Sequence, residues 1–245
     1  MLNRLAQWSV LALFAGTHTI ASTEVVASAS DNGLRPFALQ YEVIFRGMTA
    51  GNADLELQRE SGNRWVYSSR NEARGLFRLA VPGEISQTSI FEWRANRVVP
   101  LNYQADEGTK STARDIRLEF DHSAARIRGT AEDKAVDLPL AEGVQDPLSV
   151  QITVMMALAA GQKPESYLLI DKDEIKRYDY RFEGRARLST PSGEFDTVIW
   201  SSSRAGSNRR TRVWYAIDRG FLPLQAERLK GDQVEWSMRL RRIKS

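Results

Sequence analysis

Hydrophobic and polar positions alternate with a period of two along most of this chain. The clearest case is residues 233–242. Val234, Trp236, Met238 and Leu240 share one side, and Glu235, Ser237, Arg239 and Arg241 share the other. That period marks a strand with one dry face and one wet face. Just upstream, Val213, Tyr215 and Ile217 fall on one face of a strand over 211–218, with Trp214 and Ala216 on the other. That strand should be covered on both sides. Gly220 and Gly231 supply the positive φ that tight turns need. The stretch therefore predicts three antiparallel strands in a row.

The same grammar runs through the rest of the chain. Phe37, Leu39, Tyr41, Val43 and Phe45 alternate in a first strand over 37–45. Further strands are expected over 53–60, 64–70, 84–93, 98–104, 112–120, 125–130 and 135–138. They resume over 166–172, 174–183, 185–190 and 194–203. Short polar or glycine-bearing connections separate them, which predicts a meander in which sequence neighbours pair. Gln40–Gly47 echoes Arg177–Gly184, a hint of two similar halves, each strand ending in a glycine.

One segment breaks the pattern. Asp146 and Pro147 open a helix over 147–160 that stops at Gly161. Aspartate suits the cap and proline the first helical position. Only Ser149, Gln151 and Thr153 are polar in it. A helix apolar on all sides is buried or crosses a membrane, and fourteen residues fall short of the roughly 20 needed to span. This helix should be buried. A second, short helix is expected over 72–80, capped by Asn71 and stopped by Pro82-Gly83. A dozen strands with one greasy helix would curl rather than stay flat. The fold class is mainly β: a strongly curved antiparallel meander or unclosed β-barrel with the helix in its concave side.

The first 29 residues have the three-part form of a signal peptide: Arg4, an apolar run over 5–16, then small residues. Cleavage is expected after Ala21 or after Ala29. No transmembrane segment should remain, and residues 30–245 should form a single β-rich domain in the periplasm. The chain has no cysteine, which excludes disulfides, a thiolate nucleophile and cysteine–metal sites. A net charge of +3 is too mild to argue for nucleic acid. The basic residues are 27 arginines against seven lysines. Codon bias accounts for that first; the functional reading is that guanidinium forks suit phosphate or carboxylate groups.

The search for catalytic chemistry is negative, so the chain is expected not to be an enzyme and to need no cofactor or metal. His122 falls in a hairpin turn, not beside a serine and an orienting acid. No G-x-S-x-G, S-x-x-K or P-loop is present. Asp171-Lys172-Asp173-Glu174 begins like an acidic metal loop, but Ile175 takes a ligand position, leaving a solvated turn. Tyr178 and Tyr180 share a face with Phe182, an aromatic stripe that reads as core before it reads as a pocket wall. Arg239, Arg241, Arg242 and Lys244 read as a basic edge strand.

Several phrases, taken together, resemble an exported bacterial family of unknown function, number three-one-zero-eight. They are Tyr41 with Gly47 and Gly51, Asp146-Pro147-Leu148-Ser149, Pro191 to Phe195, and Trp214-Tyr215-Ala216 with Asp218, Leu222 and Pro223. The resemblance covers nearly the whole mature chain. It implies compartment and fold and carries no catalytic residue to transfer. The plan is also similar to periplasmic lipoprotein carriers, half-barrels that hold acyl chains under covering helices. Two functions compete. One is a carrier of an apolar or amphipathic envelope molecule, with a lipid or lipoprotein ligand lined by Ile152, Met155, Met156, Tyr178, Tyr180 and Trp214. The other is a structural or assembly factor with a filled core that acts by protein contact.

Overall fold

A computed structural model describes residues 33–244; the expected leader and its two cleavage points lie outside them. Fourteen strands form one antiparallel sheet. In chain order the first eight are β1 (Phe37–Phe45), β2 (Met48–Ser61), β3 (Arg64–Ala73), β4 (Glu84–Arg94), β5 (Arg97–Asp106), β6 (Ile116–Asp121), β7 (Arg126–Ala131) and β8 (Lys134–Pro139). The helix α1 (Ser149–Ala159) follows. The last six are β9 (Ser166–Asp171), β10 (Glu174–Thr190), β11 (Gly193–Arg204), β12 (Arg209–Ala216), β13 (Leu222–Lys230) and β14 (Gln233–Lys244). Each strand pairs with its sequence neighbour, giving one meander before the helix and one after it. The two are welded by β1 against β14, and β8 and β9 are left as the free edges of an unclosed barrel.

The weld corrects one expectation. β14 is central, not an edge: β1 pairs with it from Ala38↔Lys244 to Phe45↔Trp236, and β13 pairs on its other side. Two of its basic side chains reach carboxylates on β1 and β2. Arg241 meets Glu42 at 3.2 Å, and Lys244 meets Asp54. Across β14, the buried Tyr41 hydroxyl donates to the Pro223 carbonyl of β13.

Glycines read as strand breakers turn out to sit inside strands. Gly184, at φ +134°, is a bulge in a continuous β10, where the register with β11 slips between Phe182 and Gly184. The extra residue re-aims the strand without ending it. Gly51 sits inside β2, and a Cβ there would stand 2.1 Å from the Glu72 carbonyl oxygen of β3. The expected short helix is a 3₁₀ turn over Gly75–Leu79. Asn71 does not cap it; it is a buried β3 residue facing Ile85, and its Nδ2 donates to Ser69.

The helix is buried as its composition demands. Leu148, Val150, Ile152, Val154, Met155 and Leu158 all belong to one core with the inward residues of the sheet. Each such side chain contributes about 1.5–3 kcal/mol on burial. Polar pins fix its position. The Tyr67 hydroxyl of β3 donates to Gln151 Oε1 at 3.1 Å. The fully buried Asp146 accepts from the Leu148 and Ser149 backbone N–H groups at 2.8 and 2.9 Å, and from Ser89 Oγ of β4 at 2.6 Å. The cap is thus also a helix-to-sheet clamp.

Burial raises the Asp146 carboxyl above the ordinary carboxylate range, against the opposing hydrogen bonds of Ser89 and the helix N–H groups. The folded state therefore holds this proton more tightly than the unfolded chain. Its stabilising contribution is full at low pH and is lost as pH rises through the folded value. Asp146→Ala should cost about 2–4 kcal/mol, one lost cap plus an orphaned Ser89 hydroxyl. Asp146→Asn keeps the acceptor and should cost about 1 kcal/mol. In urea titrations across pH, the stability of the natural protein minus that of Asp146→Asn should shrink as pH rises.

Candidate functional site

The gap between the free edges is strapped by the segment leading into α1. Gln145 N–H donates to the Leu168 carbonyl at 2.9 Å, and Ile170 N–H donates to the Gln145 carbonyl at 3.0 Å. A short parallel bridge is added to β9 in this way. The Gln145 side chain reaches the other half of the sheet, donating to the Val98 carbonyl at 3.1 Å. Two ion pairs tie the turns at the same corner, Lys134–Asp173 at 2.7 Å and Lys172–Glu132 at 2.5 Å.

Beside this strap, where Pro147 begins the helical turn, a cavity of about 180 Å³ opens between the two meanders. Ligand pockets for drug-sized molecules run roughly 300–1,000 Å³, so this space is smaller than those. One wall comes from β4, β5 and β6 through Ile85, Gln87, Tyr103, Ala105 and Leu118. The other comes from the second meander through Asp171, Tyr178, Arg204, Arg209 and Arg228.

The lining holds five cations (Arg114, Lys172, Arg204, Arg209, Arg228) and four carboxylates (Asp106, Glu107, Glu132, Asp171). Most are matched. Arg114 meets Glu107 at 3.3 Å; burial raises the Glu107 carboxyl, and Arg114 opposes that rise. Arg209 forks onto Glu235 at 2.9 and 3.3 Å. Asp171 is shared, accepting from Lys176 at 3.1 Å and from the Tyr178 hydroxyl at 3.3 Å, with Arg204 at 3.9 Å. Burial pushes the Tyr178 phenol up, reinforced by Asp171. Arg228 stands apart. Its one acceptor among the described residues is the hydroxyl of the fully buried Thr211, at 2.8 Å. Burial, more than any neighbour, lowers its guanidinium pKa.

The six residues expected to line a ligand are dispersed. Tyr178 alone lines the cavity. Ile152 and Met155 are fully packed in the core, and Met156 lies against it with its Cε near Gly33. Tyr180 is on the inner face, edge-on to Tyr167 and Trp200 at 5.6 and 6.2 Å. Trp214 is on the outer face under the Arg212 guanidinium at 5.7 Å, because Val213 and Tyr215 take the inward positions of β12. Asp171 is not a solvated turn residue but the hub of the cavity wall. Gln87 and Arg228 gave no signal beyond their place on the inner face of strands. A glutamine and an arginine at dry positions of a period-two pattern were the available clue.

The family model described as "Protein of unknown function (DUF3108)" matches residues 40–232. A search of curated proteins finds no match to the sequence. Among solved structures, the chain is similar to a β-barrel-like protein of domain of unknown function DUF1849 from Brucella abortus. That match has 12% identity and a TM-score of 0.54, covering 85% of this chain and 97% of that one. A weaker likeness is to MucB in the Pseudomonas aeruginosa MucA/MucB complex, with 12% identity and a TM-score of 0.37, covering 87% of this chain and 52% of that one. Among the described residues no helix is long and apolar enough to cross a membrane.

A half-buried guanidinium with one neutral acceptor adds little to stability, since its desolvation opposes its bonds. Arg228→Met should therefore leave the unfolding free energy within about 1 kcal/mol of the natural protein, the scale of its single hydrogen bond. Loss of several kcal/mol would mark Arg228 as structural.

Proposed function

The chain belongs to the DUF3108 family of proteins of unknown function, and from that premise we propose that it is a non-catalytic binding protein of the cell envelope. It takes the polar end of an amphipathic molecule in the cleft between its two meanders. The observation that carries this reading is the division of the interior. On the helix side Ile152 and Met155 are buried in the core, whereas the strap side holds a cavity in which charged and apolar side chains from both halves of the sheet mix. A carrier that swallowed an acyl chain against the helix would need Ile152 and Met155 to leave their places. A binder of headgroups needs no rearrangement. Export through the expected leader would place this binding in the periplasm.

A second reading keeps the core filled and puts function on the sheet edge. β10 runs to Thr190, but β9 covers it only from Glu174 to Asp179. Phe182 on the uncovered part is 49% exposed. Strand addition by a protein partner would use that edge.

Native and denaturing mass spectrometry on one bacterially produced sample should separate the two. The cleft reading expects a co-purifying small molecule released on denaturation. Ala105→Trp, which fills the cavity, should abolish it. Met155→Trp should lower stability by about 1–3 kcal/mol through overpacking while keeping the occupant. An empty natural protein, or an occupant indifferent to Ala105→Trp, would sink the cleft reading in favour of the edge.

A further inference from the structure

The inner face of a curved sheet should be apolar, yet here one band of it is not. Ser69, Asn71, Gln87 and Ser89 are all buried on β3 and β4. Ser202 and Thr211 are buried on β11 and β12, next to Arg228 on β13, whose Nη1 donates to Thr211. Burying such groups is costly unless each finds a partner. Gln87 Oε1 is buried with no hydrogen-bond partner among the described residues, and Gln87 lines the cavity. Arg228 lines the same cavity from the other half of the sheet. A guanidinium has five N–H donors, and Thr211 takes one. The site thus has donors to give on one wall and an acceptor to fill on the other.

Charge narrows the ligand further. Five cations against four carboxylates leave one positive charge in the lining, and Arg228 is the cation without a carboxylate. A monoanion balances that single excess charge. Resting on the cleft reading above, we propose that the occupant presents a monoanionic oxyanion, a phosphodiester or a carboxylate, next to a hydroxyl group. Arg228 holds the oxyanion through its fork, and the Gln87 carboxamide accepts from the hydroxyl. The forked geometry suits either oxyanion, and both can come free in solution or as the headgroup of a lipid.

The test titrates the full mature protein by calorimetry with glycerophosphoglycerol and with glycerate. In parallel, it is floated with phosphatidylcholine vesicles with or without phosphatidylglycerol. Binding of a soluble probe points to a free headgroup-sized ligand. Binding only to the anionic vesicles points to the lipid. In either case Arg228→Met should weaken binding about tenfold or more, the loss of a charge-assisted pair. Arg228→Lys, which keeps the charge without the fork, should fall between. Gln87→Leu should weaken glycerophosphoglycerol and leave dimethyl phosphate, which has no hydroxyl, unchanged. Melting curves confirm that each variant is folded; if Arg228→Met is not, Arg228→Lys and Gln87→Leu carry the test. The proposal is overturned if none of the anionic probes binds, or if they bind the Arg228 and Gln87 variants as well as the natural protein. A neutral amphiphile found by mass spectrometry and displaced by Ala105→Trp would leave the cleft reading standing and remove the anion.

Discussion

The segment Gln145-Asp146 holds helix, first meander and second meander at once. Gln145 bonds to β9 through its backbone and to β5 through its side chain. Asp146 caps the helix and takes the hydroxyl of Ser89 on β4. The strap adds to the ion pairs that tie the free edges and to the Tyr67 bond that holds the helix against the sheet. On its other side lies the cavity, where charged and apolar side chains mix. A carboxylate buried among hydrogen bonds is an unusual choice for a core. It is used where the helix start and β4 must share one position.

The division of the interior follows from which residues could be satisfied where. Along α1, apolar side chains meet apolar strands, and the few polar ones have partners close by. Thr153 bonds to Gln145 and to the Ser149 carbonyl at 3.1 Å each, and Gln151 is met by Tyr67. Beyond the helix's N-terminal end the inward face is mixed, with Ile85, Leu118 and Ile170 beside charged groups. Polar inward residues gather there, and Arg228 and Gln87 find few protein partners. On the proposed reading, stability and recognition are separated in space. The helix side can be tight because the strap side is not asked to be.

Much of this architecture was legible in the sequence because period-two alternation and turn chemistry are local. The buried helix was legible for the same reason: its all-apolar composition and its Asp-Pro start leave few alternatives. What local reasoning could not read was pairing over long distances. Arg239, Arg241, Arg242 and Lys244 looked like an edge because they end the chain, yet β14 is central through its bonds to β1. Gly184 looked like a turn because glycine breaks many strands, but in β10 it makes a bulge. The site residues suffered most. Tyr178, which lines the cavity, stood out in the sequence as an aromatic, whereas Arg228 and Gln87 come to line it only through what the curve brings together.

The weld between β1 and β14 has a consequence for how the protein is made. Glu42 and Arg241, which meet across it, are 199 residues apart in sequence. The first meander is complete long before its neighbouring strand exists, so one flank of β1 stays unpaired through most of synthesis. Folding governed by such distant pairs is slow, and the waiting edge is open to wrong partners. β14 therefore acts as the closing piece of the half made first, and synthesis that stalls short of it would release a sheet with an unfinished middle.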